Sequence, residues 1–73
     1  NSNPQLTLYP NPSNGTLFIW GLERNETIEI VDILGKTVYQ NTILEEKLEL
    51  NLKLNTGLYF VKYMGYKSPF VIK

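Results

Sequence analysis

The chain has no cysteine and no histidine. Without cysteine, neither a disulfide framework nor a Cys-based zinc site can staple it. Without histidine, it lacks the commonest metal ligand and general base. It also lacks a surplus of either charge: seven Lys and Arg balance seven Asp and Glu, with no basic run. Nucleic-acid binding therefore has no electrostatic footprint here. No apolar stretch approaches the roughly 20 residues that span a bilayer. Aspartate occurs once, at Asp32, so acid–base chemistry would fall to scattered Glu and Lys. An enzyme is the weakest reading, and neither a metal nor a cofactor is expected.

At 73 residues the chain makes one domain at most. A domain this short buries only about 60% of its unfolded surface and has a narrow margin of stability. At 42% hydrophobic and 12% aromatic residues, packing can still supply a small core. The chain opens Asn1-Ser2-Asn3-Pro4, without an initiator Met or a signal peptide. It is expected to be a processed piece of something longer. Residues 1–4 are read as a flexible lead-in from that larger protein and residues 5–73 as the domain.

No stretch carries a convincing helical period. The nearest candidate, Leu44 to Leu50, runs into strict alternation at Leu48, Leu50, Leu52 and Leu54, which argues for a strand. Seven short β-rich runs are expected: Gln5 to Tyr9, Thr16 to Trp20, Glu26 to Ile33, Thr37 to Ile43, Lys47 to Leu52 or Leu54, Leu58 to Met64, and Ser68 to Ile72. Turn signals separate them, the last being Gly65-Tyr66-Lys67. This spacing predicts an all-β fold, an immunoglobulin-like sandwich of about seven short, mostly antiparallel strands.

Three motifs punctuate these runs. The first is Tyr9-Pro10-Asn11-Pro12 with Gly15. The two prolines are read as holding a rigid extended strand exit, and Asn11 as bonding locally. Gly15 is free to take positive φ in the following turn. The second is Asp32-Ile33-Leu34-Gly35-Lys36-Thr37-Val38, a hairpin signature. Its aspartate can accept the N–H groups that the turn leaves unpaired, and Gly35 supplies positive φ. The third is Leu54-Asn55-Thr56-Gly57-Leu58-Tyr59-Phe60-Val61. Tyr59 sits where such sandwiches carry a corner tyrosine, and its hydroxyl is expected to bond backbone between Leu52 and Asn55.

Alternation also places side chains. If Leu17 and Ile19 face the core, Phe18 and Trp20 face away. If Tyr59, Val61 and Tyr63 face it, Phe60 and Met64 point outward. The outward aromatics are either an interface or the mark of a one-residue slip in register. Asn14-Gly15-Thr16 and Asn25-Glu26-Thr27 match the N-glycosylation pattern, a match common by chance.

In order and combination, the three motifs and the closing Val71-Ile72-Lys73 resemble the C-terminal sorting domain (type A) of the Bacteroidetes type IX secretion system. The resemblance covers roughly Leu6 to Lys73. Tyr9, Pro10, Asn11, Pro12 and Gly15 match the family's front motif. Asp32, Gly35, Lys36 and Val38 match the middle one, and Leu54, Gly57, Tyr59, Val61 and Lys73 the last. Asn51 departs from a frequent aspartate, and Thr56 from a frequent Pro or Ala. The resemblance implies a non-catalytic export label at the end of a secreted or surface cargo that passes through the periplasm. It implies an outer-membrane β-barrel shuttle and a surface sortase as partners. The recognition surface is expected near the last two strands, with Lys67 and Lys73 as its charged members. The alternative is a fibronectin-like spacer or a carbohydrate-binding module of a secreted hydrolase, which would stack sugars on Trp20 and the outward aromatics.

Overall fold

A computed structural model describes residues 6–73. Residues 1–4, read as the lead-in, and Gln5 lie outside the described residues. Seven strands run in order: β1 Thr7–Tyr9, β2 Thr16–Trp20, β3 Thr27–Asp32, β4 Thr37–Thr42, β5 Lys47–Asn51, β6 Gly57–Tyr63 and β7 Tyr66–Ile72. They form a three-stranded sheet, β1-β2-β5, and a four-stranded sheet, β4-β3-β6-β7. Every strand pair is antiparallel. The protein is an all-β, immunoglobulin-like sandwich, and no helix occurs among the described residues.

Period-two alternation puts one side of each strand inward. Leu17 and Ile19 of β2, Leu50 of β5, Ile28 and Ile30 of β3, Tyr59, Val61 and Tyr63 of β6, and Phe70 and Ile72 of β7 meet in one core, joined by Leu22 and Ile43 from the loops. Leu48, Leu52 and Leu54 pack on it at half exposure, so the alternating leucines are indeed one face. Phe18 and Trp20 point away from the core, as do Phe60 and Lys62. The register is therefore the one that alternation implies.

Besides one-residue shifts at strand ends, four places differ from expectation. β5 stops at Asn51, although the Leu52 N–H still donates to the Gly15 carbonyl at 2.6 Å, one step on in the β2–β5 register. Ile33 lies in the β3–β4 turn, 68% exposed, rather than in a strand. Tyr66 and Lys67 belong to β7 and not to the last turn. That turn is instead the two residues Met64 and Gly65, with φ of 51° and 84°. Positive φ at both central positions matches the twist of a tight hairpin, although methionine is not a residue that advertises it. The fourth correction concerns Tyr9-Pro10-Asn11-Pro12. Both X–Pro bonds are cis, and the chain reverses direction between β1 and β2, which pair antiparallel.

Candidate recognition end of the sandwich

The registers sort the loops into two groups. Asp32, at the end of β3, lies opposite Tyr59, near the start of β6. Gly57 lies opposite Ile72, at the end of β7. Thr16, at the start of β2, lies opposite Asn51, at the end of β5. The β1–β2 loop, the β3–β4 turn, the β5–β6 loop and the chain end therefore share one end of the sandwich. All three motifs fall there, although in sequence they are spread from Tyr9 to Val61. The β2–β3 loop, the β4–β5 loop and the Met64-Gly65 turn form the opposite end.

The front motif is fastened to the last strand. Ser13 N–H donates to the Val71 carbonyl at 2.7 Å, and Lys73 N–H donates to the Ser13 carbonyl at 2.8 Å. These bonds make a single parallel bridge between Ser13 and Ile72. Asn11 Oδ1 accepts from the Val71 N–H at 3.1 Å, so its partner is not local, as the sequence suggested, but 60 positions away. Ser13 is only 2% exposed, and its hydroxyl is fully used. It donates to the Thr16 carbonyl at 2.6 Å and accepts from the Gly15 N–H at 3.0 Å. Sequence reasoning missed Ser13, treating it as one polar residue of a turn. Its position after the second proline and two before a glycine was the available signal.

Gly15 is held by two constraints. Its φ is 117°, a region that L side chains rarely adopt, and a Cβ there would lie 2.9 Å from the Leu52 carbonyl oxygen. The same two residues are joined by the bond from the Leu52 N–H to the Gly15 carbonyl. It ties the front motif to the segment leading into the last one.

The other two motifs are built as the sequence implied. Asp32 Oδ1 accepts from the backbone N–H groups of Leu34 and Lys36, each at 2.9 Å. Gly35 N–H closes the turn on the Asp32 carbonyl at 3.0 Å. The Tyr59 hydroxyl donates to the Asn55 carbonyl at 2.8 Å, inside the expected window. Its ring stacks on Phe70 with centroids 5.9 Å apart. A second tyrosine, Tyr63, bonds backbone at the far end in the other sense, its hydroxyl accepting from the Glu23 N–H at 2.6 Å. Nothing local in the sequence marked it.

The candidate residues divide into surface and scaffold. Pro10, Asn11, Pro12, Gly35, Lys36 and Lys73 are exposed at the motif end. Tyr59 and Val61 are buried and Leu54 packs on the core, so these act by holding the end in shape. Lys67 is separated from the rest. It sits opposite Lys62 near the far hairpin turn, with its Nζ 5.6 Å from the centre of the Phe60 ring.

The outer aromatics of the small sheet are engaged with one another. Tyr9 stacks on Phe18 at 5.3 Å, and the Trp20 indole N–H donates to the Tyr9 hydroxyl at 2.8 Å. Lys47 Nζ stands 5.2 Å from the centre of the Trp20 ring. Each ring thus has a partner within the domain, and the cluster clasps the three-residue β1 onto β2. A flat row of free ring faces, which a sugar-stacking platform needs, is not what these contacts make.

Comparison with known proteins agrees with this architecture. No curated protein sequence matches. One solved structure superposes with a TM-score of 0.82 at 20% identity, over 93% of this chain and 11% of the other. It comes from work on PorZ, an essential bacterial surface component of the type IX secretion system of Porphyromonas gingivalis. At that identity the likeness shows the fold, and this chain spans about a ninth of that protein's length. A family model described as the secretion system C-terminal sorting domain matches residues 7–73, from the first strand to the last residue. The chain belongs to the family of type IX secretion system C-terminal sorting domains.

Proposed function

We propose that this domain is the non-catalytic label by which the type IX machinery takes a cargo protein, fused before it, across the outer membrane. The cargo reaches the periplasm first and ends at the cell surface or outside the cell. The partners are an outer-membrane β-barrel shuttle and a surface sortase that cuts the domain away. The recognition surface is the motif-bearing end, where Asn11, Pro12, Asn55, Thr56 and Lys73 stand exposed around the end of β7. One observation carries this reading: the first motif is hydrogen-bonded to the last strand through Ser13, Asn11, Val71 and Lys73. A partner meeting this end therefore meets segments from the whole chain, held in one geometry only when the domain is folded. Such a surface can report that the cargo's final domain is complete.

The test is a fluorescent passenger carrying a periplasmic signal peptide and this chain at its C-terminus, expressed in a type IX-competent cell. The passenger is expected in the surface and medium fractions. Retention in the periplasm, while an established sorting domain exports the same passenger, would refute the proposal.

A further inference from the structure

Each sheet has two edges, and an exposed strand edge is a template for pairing unless something blunts it. Three of the four edges are blunted here. β1 is three residues long and ends at Pro10. β5 carries Lys47 and Glu49 and is flanked by Glu45, Glu46 and Lys53. The outer edge of β7 is covered by Asn11 and Ser13 along its second half, and Pro69 removes a donor from the first.

β4 is different. Thr37-Val38-Tyr39-Gln40-Asn41-Thr42 has no charge, no proline and no glycine, with a single register shift at Val38, and among the described residues it is the free edge of the larger sheet. Ile43 beyond it bonds toward β3, donating to the Glu26 carbonyl and accepting from the Asn25 N–H. By alternation, the backbone groups of Gln40 and Thr42 therefore face outward. The Thr42 N–H is covered by Asn41 Oδ1 at 2.9 Å. The strand is bracketed by the three most exposed large apolar residues: Ile33 at 68% and Leu34 at 88% before it, and Leu44 at 75% after it.

From this edge we propose that β4 pairs antiparallel with β4 of a second copy about a two-fold axis at Gln40, joining two four-stranded sheets into one of eight. The charges at its ends select this partner and this direction. Lys36 precedes β4, and Glu45 and Glu46 follow it. With Gln40 opposite Gln40, Tyr39 meets Asn41 and Val38 meets Thr42. Leu34 and Lys36 of one copy then lie along Leu44, Glu45 and Glu46 of the other, twice over. Lys36 stands opposite Leu44 with Glu46 as its diagonal neighbour, and Leu34 opposite Glu46 with Leu44 diagonal, within reach of long side chains. Parallel self-pairing would instead set Lys36 against Lys36. The pairing leaves the recognition surface around Lys73 free, because β7 is the opposite edge of the sheet.

Sedimentation equilibrium of the 73-residue chain tests this, from low micromolar to about 1 mM. A monomer–dimer equilibrium is expected. Gln40→Pro removes an outward N–H without taking a bond from the β3 ladder, and should abolish the dimer while circular dichroism stays native. Should that variant unfold, charge reversal decides. Lys36→Glu should weaken the dimer about five- to tenfold for its two symmetric ion pairs. Mixing it with a Glu45→Lys/Glu46→Lys chain should restore association as a heterodimer. A chain monomeric at the highest concentration, a dimer indifferent to a folded Gln40→Pro, or a mixture that fails to recover would each overturn the proposal.

Discussion

The two ends of the sandwich are closed by different kinds of bond. At the far end, Leu22 N–H donates to the Glu46 carbonyl at 3.0 Å, Asn25 N–H to Ile43 at 2.9 Å, and Ile43 N–H to Glu26 at 2.8 Å. These are backbone bonds, and almost any residue can make them. At the motif end, side chains carry much of the closure. Asn11 holds Val71, Ser13 holds Gly15 and Thr16, Asp32 holds Leu34 and Lys36, and Tyr59 holds Asn55. Gly15 leaves space for the Leu52 carbonyl. One end demands particular residues and the other tolerates many. A sequence motif is the trace that such demands leave.

Substitutions should separate the two ends, beginning with the largest effect. Gly15→Ala places a Cβ against backbone and forces a residue into a disfavoured φ. A loss of about 2–4 kcal/mol is expected in urea unfolding, enough to threaten a domain this small. An unchanged midpoint would mean that the Leu52 contact yields freely.

Tyr59→Phe and Ser13→Ala come next. Each leaves a partly buried backbone group without its partner, at a cost of about 1–3 kcal/mol. Equal stability of either variant and the parent would remove that bond from the account of the motif end. Tyr63→Phe probes the tyrosine bond at the far end and should cost about as much. It shows that a tyrosine hydroxyl matters wherever it is the closing group, motif or not.

The smallest effect belongs to Glu46→Ala. Its side chain is exposed, and the bond it contributes at the far end is made by its carbonyl. The urea midpoint should stay within about 0.5 kcal/mol of the parent. A loss comparable to Ser13→Ala would erase the contrast between the ends.

This contrast also explains how much was legible in the sequence. The seven strands and their faces could be read because leucine, isoleucine and tyrosine alternate against the core. Asp32 and Tyr59 could be read because each bonds within four residues of itself. The partner of Asn11 could not be, because it lies at Val71, 60 positions away, and the backbone partners of Ser13, Val71 and Lys73, are as distant, although its hydroxyl bonds Gly15 and Thr16 nearby. The Met64-Gly65 turn was shifted for a related reason: methionine accepts φ of 51° only because the paired Tyr63 and Tyr66 impose it. Lys67 lies in β7 and Lys73 directly after its last residue, six positions on, so they were grouped together. The hairpin register puts them at opposite ends.

That separation supplies the most direct measurement. The fluorescent passenger is compared in three forms: the parent chain, Lys73→Glu at the motif end, and Lys67→Glu at the far end. Circular dichroism of each purified domain establishes that both charge reversals leave the sandwich folded. If the motif end is the recognition surface, Lys73→Glu leaves the passenger in the periplasm while Lys67→Glu exports it as the parent does. Export lost with Lys67→Glu and kept with Lys73→Glu would contradict the assignment and move recognition to the opposite end.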